Sequence, residues 1–361
     1  MISLPDLLSD LQTLVEVESP SHELDALDRS AQVLAGIIEQ RLGSPARLVP
    51  TEAGPMVHWS GGGEPRVLIL GHHDTVFPIG TLAVRPFTVV DGRATGPGVF
   101  DMKAGIVQAV HAIASLTDAS HVEILMTPDE EVGSTASRAL LEERALACGN
   151  VLVLEPSADG GALKTARKGV GTFELVVHGR ASHAGLEPEK GVNSLVAAAE
   201  LITRVATFGD PAKATTVTPT MASSGTAENV VPALTRVRVD VRVSEPAEAD
   251  RLDALMAALT TSVPEARIEV LGGLNRPPMH ESASASLYPL AEQAAVAVGI
   301  TDLRGVGVGG GSDGNFTAAI GVATLDGLGA VGGGAHADHE FVVVDALVPR
   351  TQLLAALVAR L

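Results

Sequence analysis

The chain of 361 residues is poor in cysteine and in aromatic residues. Its one cysteine, Cys148, excludes an internal disulfide framework and any cluster of thiolate metal ligands. Because Leu146 and Ala147 precede it, we expect a buried, unreactive thiol rather than a nucleophile. Aromatic residues make up only 2% of the chain, whereas hydrophobic residues of all kinds make up 46%. Aliphatic side chains must therefore fill most of the core.

Basic residues are also scarce, and long apolar runs are missing. The chain has 25 Lys and Arg against 43 Asp and Glu, which gives a net charge of −18. This excess repels nucleic acid and anionic membranes, and it supplies carboxylates that can bind cations. No apolar run reaches the roughly 18 residues of a membrane-spanning helix. Asp6 and Asp10 stand where a signal peptide would be basic. We therefore expect a soluble cytoplasmic protein without nucleic-acid or membrane partners.

The apolar pattern predicts an α/β domain. Three short apolar runs have the length and composition of strands buried on both faces. They are Val67–Leu70, Val122–Met126 and Val151–Leu154, and helical patterns at Ala104–Leu116 and Ser134–Ala147 separate them. Strands that alternate with helices indicate a sheet covered on both sides.

The pattern changes near residue 168, where the order becomes β-α-β-β-α-β. Thr235–Val243 alternates strictly between valines and polar residues, as in a sheet with one solvated face. This order is typical of a ferredoxin-like unit. Since the α/β pattern returns after about residue 277, we expect two domains. The predicted catalytic domain comprises residues 1–167 and 277–361, and residues 168–276 form an inserted domain.

Potential metal ligands follow the three predicted strands. His72 comes after the first strand, Glu130 and Glu131 after the second, and Glu155 after the third, while Asp101 precedes the Ala104 helix. Each alone is unremarkable, since Asp101 could simply cap its helix. Open α/β sheets, however, gather functional groups at the carboxyl ends of their strands. Imidazole and carboxylate ligands suit zinc, with cobalt or manganese as substitutes, and two ions can share a bridging carboxylate.

Nine motifs carry a resemblance to a known superfamily. They are GHHDTV (71–76), GPGVFDMKAG (96–105), TPDEEVGS (127–134), LEP (154–156), GRASHAG (179–185), ENVVPA (228–233), DVR (240–242), GGGSDG (309–314) and GAHADHEFV (334–342). In order and spacing the chain resembles the co-catalytic zinc peptidases: carboxypeptidase G (glutamate carboxypeptidase), aminoacylase, acetylornithine deacetylase and succinyl-diaminopimelate desuccinylase. The likeness covers essentially the whole chain, and the run GTLAVRPF favours the glutamate carboxypeptidase branch.

The resemblance implies a fold and a metal centre. The expected fold is α/β, with a zinc-peptidase-like catalytic domain around a central mixed sheet and an inserted ferredoxin-like lid and dimerisation domain. His72 and Glu155 would bind one zinc ion, Glu131 and His336 the other, and Asp101 would bridge both. The peptide between Asp101 and Met102 would be cis.

Further residues acquire expected roles from the same resemblance. Glu130 matches the general base, and Asp74 would orient His72 through its other ring nitrogen. His183 would donate to the developing oxyanion, across a homodimer interface. The positions that would hold the substrate carboxylate are Asn229, Arg242 and Gly310, with Arg276 as a further substrate-binding candidate. His73 is expected to pack rather than bind metal.

The function expected from these residues is metal-dependent hydrolysis of an amide bond adjacent to a free carboxylate. Two zinc ions would activate the water, and Glu130 would accept its proton. The substrate would be a small peptide or an N-acyl amino acid. One alternative is an aminoacylase or N-acyl-amino-acid deacetylase with the same centre. A second alternative, a metal-binding scaffold without activity, is disfavoured because every catalytic position is filled.

Overall fold

The computed structural model describes residues 2–361, which divide into two compact units. The first unit contains the chain up to Ala166, Met279–Val308 and Ser312–Leu361, and the second contains Arg167–Pro278 with Gly309–Gly311. The three glycines belong to the second unit because Arg167 Nη1 donates to the carbonyls of Gly310 and Gly311, each at 3.0 Å. The predicted domain boundaries, and the role given to each domain, stay predictions.

The helices of residues 2–361 include those predicted between the apolar strands, although the second of these begins at Arg138 rather than Ser134. They are α1 (Leu4–Val15), α2 (Leu24–Leu42), α3 (Thr81–Val84), α4 (Ala104–Ala114), α5 (Arg138–Cys148), α6 (Ser194–Val205), α7 (Pro246–Ala257), α8 (Tyr288–Ala297), α9 (Gly314–Ala319) and α10 (Val344–Val358). None of the helices in this part of the chain combines the length and the hydropathy that crossing a bilayer requires.

The strands outnumber those that the sequence predicts. They are β1 (Arg47–Val49), β2 (Met56–Ser60), β3 (Val67–His72), β4 (Thr88–Val90), β5 (Arg93–Thr95), β6 (Val122–Thr127), β7 (Asn150–Val153), β8 (Leu163–Arg167), β9 (Gly169–His178), β10 (Thr216–Ser224), β11 (Leu234–Val243), β12 (Arg267–Arg276), β13 (Gly305–Val308), β14 (Ala323–Leu325), β15 (Gly332–Gly333) and β16 (Phe341–Val343). The additional strands are short: β1 and β2 extend one side of the six-stranded sheet, and the others form small sheets.

A six-stranded mixed sheet forms the centre of the first unit. Its strand order is β1-β2-β6-β3-β7-β14. Strands β6, β3, β7 and β14 are parallel to one another, β2 is antiparallel to β6, and β1 is antiparallel to β2. Ile69 and Ile124 pack on one face against helices α1, α2, α4 and α10, while Leu68 and Leu125 pack on the other against α5 and α9. The prediction of a mixed sheet covered on both sides is confirmed.

The second unit contains a four-stranded antiparallel sheet in the order β10-β11-β9-β12. With α6 and α7 the chain order is β-α-β-β-α-β, so the ferredoxin-like prediction is confirmed. The valines of β11 face a core that includes Leu201 of α6 and Leu252 of α7. The arginines of β11 lie on the opposite face, because side chains alternate along a strand.

Candidate metal centre

The carboxyl ends of three parallel strands carry most of the predicted ligands. His72 is the last residue of β3, a short 3-10 turn with Glu130 and Glu131 follows β6, and Glu155 follows β7. Because β6, β3 and β7 are neighbours in the sheet, their carboxyl ends meet at one edge. His72, Glu130 and Glu155 are all buried there.

Asp101 lies between two histidines that are distant in the sequence. Its Oδ1 is 3.3 Å from His72 Nε2, and its Oδ2 is 3.3 Å from His336 Nε2. The residue belongs to an irregular turn, Val99–Lys103, that leads into α4, and the Asp101–Met102 peptide is cis, as the resemblance implies. One carboxylate thus presents a separate oxygen to each imidazole.

Each histidine has a second carboxylate partner. His72 Nε2 lies 3.7 Å from Glu155 Oε1, and His336 Nε2 lies 3.1 Å from Glu131. One ligand atom from each of His72, Asp101 and Glu131 lies within 4.8 Å of the other two. These contacts connect the five side chains through Asp101, and their assignment to two metal ions stays a prediction.

The chemistry of this cluster fits divalent cations. Three carboxylates converge on two imidazoles, and the buried Asp101 Oδ1 meets His72 Nε2 at 3.3 Å. Hydrogen bonds to Asp101 and Glu131 raise the pKa of His336 to about 10. Burial acts to lower the pKa of His72, but hydrogen bonds to Asp101 and Asp74 raise it well above the ordinary value. In the absence of metal, protons on the two histidines supply the positive charge beside these carboxylates. Divalent cations would displace the protons on binding.

Asp74 links His72 to the turn that carries the paired glutamates. His72 Nδ1 lies 3.0 Å from the Asp74 carbonyl oxygen and 3.3 Å from Asp74 Oδ1. The Asp74 carboxylate also accepts the backbone N–H groups of Glu130 and Glu131, each at 3.2 Å, and the Ser21 hydroxyl at 2.8 Å. Although burial opposes it, the contact with His72 lowers the pKa of Asp74. Asp74 therefore orients the imidazole and the turn together.

The two adjacent glutamates face different parts of the cluster. Glu131 contacts His336, whereas Glu130 offers an oxygen within 4.8 Å of ligand atoms of both His72 and Glu155. Neighbouring side chains diverge in this way because their Cβ atoms point in different directions. Glu130 is therefore near the cluster without being one of the five predicted ligands.

Glu340 holds the turn that carries Asp101, although no local sequence pattern predicts this role. Its Oε1 accepts the N–H groups of Phe100 and Asp101, and its Oε2 accepts that of Gly98, each at 2.9 Å. Burial raises the pKa of Glu340 to about 7 against the opposing effect of these bonds. The only sequence signal is its position four residues after His336. Glu340 joins the segment of His336 to the turn of Asp101.

His73 packs in the core, as predicted. Its ring is buried, and its Nε2 lies 2.9 Å from the carbonyl oxygen of Pro55. Burial lowers the pKa of His73 to about 4, so the imidazole is neutral near pH 7.

His183 and Asn229 lie on neighbouring segments of the second unit. The Ala184 N–H donates to the Asn229 carbonyl at 2.8 Å, and a β-bridge joins His183 to Val230. His183 is exposed, and its Nδ1 accepts the N–H groups of Gly185 and Leu186 at 3.1 Å. Because Nδ1 is the acceptor, the hydrogen of a neutral ring lies on Nε2.

The two predicted substrate-binding arginines lie at the same register position of the second sheet, on either side of its strand β9. Arg242 of β11 and Arg276 of β12 both pair with Val170 of the strand between them. Arg242 forms an ion pair with Asp240 at 2.9 Å, and Gly310 accepts from Arg167. Roles for these residues in substrate binding stay predictions.

Comparison with known proteins relates the whole chain to one family. The model of peptidase family M20/M25/M40 matches residues 68–360. The chain is similar to carboxypeptidase G2 of Pseudomonas sp. (strain RS-16), with 29% identity over 98% of this chain and 88% of the relative. It is also similar to succinyl-diaminopimelate desuccinylase of Wolinella succinogenes, with 26% identity over 76% and 79% of the two chains. Acetylornithine deacetylase of Proteus mirabilis is 28% identical over 59% and 57%.

A solved structure shares the fold over its full length. Aminopeptidase PepT from Bacillus cereus superposes with a TM-score of 0.80 and 22% sequence identity, covering 99% of this chain and 98% of that one.

Proposed function

Because this chain belongs to peptidase family M20/M25/M40 and is thus a metallopeptidase or amidohydrolase, we propose that it cleaves an amide bond adjacent to a free carboxylate. The observation that carries the proposal is the position of Asp101, with one oxygen at each of two histidines. We propose two divalent cations, zinc in the first instance. His72 and Glu155 would hold one, Glu131 and His336 the other, and Asp101 both. Two such ions, when bound, polarise the attacking water and the amide carbonyl.

Glu130 is the proposed general base. Its carboxylate would accept the proton of the attacking water and then deliver it to the departing nitrogen. The position of Glu130 beside His72 and Glu155 supports this role, since the base must lie within hydrogen-bond reach of the water. Asp74 would fix the His72 ring relative to the Glu130 backbone, because its carboxylate contacts both.

Residues of the second unit are proposed to bind the rest of the substrate. His183 would donate from Nε2 to the oxyanion, since its Nδ1 is occupied as an acceptor. Asn229, Arg242, Arg276 and the Gly310 backbone would hold the free carboxylate of a small peptide or N-acyl amino acid.

We also propose that the chain forms a homodimer through the inserted unit. Leu195 and Val196 of α6 and Met221 of β10 are exposed large apolar side chains in that unit, as an interface would need. Sedimentation velocity tests this, because a concentration-independent monomer with full activity would contradict it.

The alternative function is removal of a small acyl group from an amino acid by the same centre. The desuccinylase and deacetylase relatives favour it, because each acts on an acylated amino acid by its name. The five ligands and Glu130 would serve both reactions equally.

Matched substrate pairs test the proposal. The zinc-loaded protein would be given dipeptides and N-acyl amino acids, each as the free acid and as the carboxamide. We expect cleavage of the acids and a loss of at least about 100-fold with the amides, since two charge-assisted hydrogen bonds contribute roughly that much. Equal cleavage of acid and amide would contradict the carboxylate requirement. Activity confined to N-acetyl amino acids would favour the alternative.

A further inference from the structure

A cavity of about 390 Å³ in the first unit has one metal-ligand candidate in its wall. Its lining consists of two chain segments and the Glu131 turn: Pro20, Ser21, His22, Glu23, Thr75, Val76, Pro78, Ile79, Glu131 and Val132. Its volume falls within the range of about 300–1,000 Å³ that is typical of small-molecule sites. Glu131 is both a wall residue and a proposed ligand, so the cavity adjoins the proposed metal centre at this residue.

The wall of this cavity is largely apolar. Val76, Ile79 and Val132 expose 41%, 53% and 42% of their surface, and Pro20 and Pro78 also line the space. Apolar side chains grouped around one cavity offer hydrocarbon contacts to a ligand that enters it. The contact area offered here is therefore hydrocarbon.

The charged groups of the wall have one sign. Glu23 and Glu131 are the carboxylates among its residues, His22 and Ser21 are polar, and neither Lys nor Arg is present. A carboxylate placed in the cavity would face Glu23 with no Lys or Arg in the wall to compensate its charge, which is unfavourable. The free carboxylate of the proposed substrate must therefore bind elsewhere.

We propose that this cavity is the acyl-group subsite, and that it selects an uncharged, apolar acyl group longer than acetyl. This inference rests on the proposed function, because an amide substrate has two sides and only one of them bears the required carboxylate. An acetyl group brings a single methyl to the wall, whereas a longer chain reaches Val76 and Ile79. A succinyl group brings a second carboxylate towards Glu23, so the wall disfavours it.

A series of N-acyl glutamates tests the subsite. The acyl groups are acetyl, butanoyl, hexanoyl, octanoyl and succinyl, and the readout is kcat/KM. Since each buried methylene contributes up to about fourfold, we expect at least about a tenfold rise from acetyl to octanoyl. Succinyl, which has the chain length of butanoyl, should be the poorer of the two. A flat series, or succinyl equal to butanoyl, would overturn the subsite while leaving the hydrolase intact.

Two variants localise the effect. Ile79→Ser removes hydrocarbon from the wall and should lower the octanoyl-to-acetyl ratio about fivefold or more. Val84→Ser is the matched control, because Val84 is 79% exposed and does not line the cavity. An equal fall of the ratio in both variants would count against the assignment.

A binding measurement separates this inference from the catalytic one. The metal-free protein would be titrated with octanamide and with acetamide while the Val76 and Val132 methyl resonances are followed. We expect saturable shifts with octanamide that weaken in Ile79→Ser, and none with acetamide. If no acyl glutamate is hydrolysed, this titration still decides the subsite, whereas the dipeptides and the other N-acyl amino acids decide the proposed function. No saturable shift with octanamide would overturn it.

Discussion

Glu340 Oε1 accepts the backbone N–H of Asp101 at 2.9 Å, although 239 positions separate the two residues in the chain. The same carboxylate accepts two further N–H groups of the turn, from Phe100 and Gly98. A carboxylate with two acceptor oxygens suits three donors, whereas a carboxamide presents its own N–H groups to one of them. The turn that carries the proposed bridging ligand is thus held by a side chain from the segment of His336.

Glu340→Gln should weaken metal binding more than it weakens the fold. One amide N–H would face the N–H of Gly98, so the turn should shift and Asp101 with it. We expect zinc or cobalt affinity to fall about 10- to 100-fold, as for other residues that orient ligands. Competition with a chromophoric chelator measures it, and the cobalt absorption spectrum reports altered ligand geometry. Asp338→Asn, an exposed change in the same segment, is the control. Unchanged affinity in Glu340→Gln would contradict this role.

Glu130→Gln should abolish most of the activity while metal content is retained. The amide cannot accept the proton of the attacking water, so we expect kcat to fall about 10²- to 10⁴-fold. Metal analysis of the same preparation separates a lost base from a lost ligand. Glu143→Gln on the surface of α5 serves as the control. A Glu130→Gln enzyme within threefold of the parent, on the order of assay scatter, would refute the assignment.

A polar cluster that joins helices α1, α2 and α4 should contribute strongly to the free energy of unfolding. Asp10 accepts from Arg41 at 2.7 and 3.0 Å and lies 2.7 Å from His111 Nε2. Asp10→Ala would leave His111 without its carboxylate and Arg41 with only the exposed Asp6 at 3.7 Å, so we expect a loss of about 3 kcal/mol in the free energy of unfolding. Asp6→Ala in the same helix should cost less than about 1 kcal/mol, because that ion pair is exposed. Urea denaturation measures both. Equal losses would show that Asp10 acts only as a surface charge.

Cys148 should resist thiol reagents until the protein unfolds. Burial raises the pKa of its thiol to about 12, so at pH 8 the folded protein contains thiolate at a fraction on the order of 10⁻⁴. Because the folded pKa lies above the unfolded value, reactivity should increase with pH well beyond pH 9. Colorimetric titration with a disulfide reagent should detect no thiol at pH 8 and one thiol in denaturant. Rapid reaction of the native protein would contradict the buried state.

The central sheet and the candidate metal ligands at its carboxyl edge are both predictable from the sequence, because burial makes the strands apolar and their ends conspicuous. Strands β3 and β6 are buried on both faces, so they are predominantly apolar runs with sharp ends, and Glu123 is the one charged residue within β6. His72 and the paired glutamates stand at those ends, where a polar side chain is conspicuous. The alternating valines of β11 are equally clear, because one face of that sheet is solvated.

Other elements leave little trace in the sequence. Strand β4 is exposed along its whole length, and β15 is a pair of glycines, so neither has an apolar pattern. Strand β12 continues to Arg276 through Gly272 and Gly273, whose φ values of 83° and 147° interrupt regular alternation. Helix α7 ends at Ala257, because Ala258 has left helical geometry.

A local sequence pattern also cannot predict contacts between distant segments of the chain. The hydrogen bonds of Glu340 depend on a turn more than 200 positions earlier in the chain, and those of Arg167 depend on Gly310 and Gly311. A single sequence shows that such residues are charged. It does not show which backbone groups they meet.

The number of divalent cations bound per chain tests the central claim most directly. Purified protein would be stripped with chelator, reloaded with zinc, desalted and analysed by mass spectrometry of the elements, alongside His72→Ala and His336→Ala. If Asp101 bridges two ions, the parent protein should bind two per chain. Each variant should lose the ion that its replaced histidine would bind before it loses the other ion. A parent that holds one ion or none, or variants that both retain two, would contradict the shared carboxylate on which the account depends.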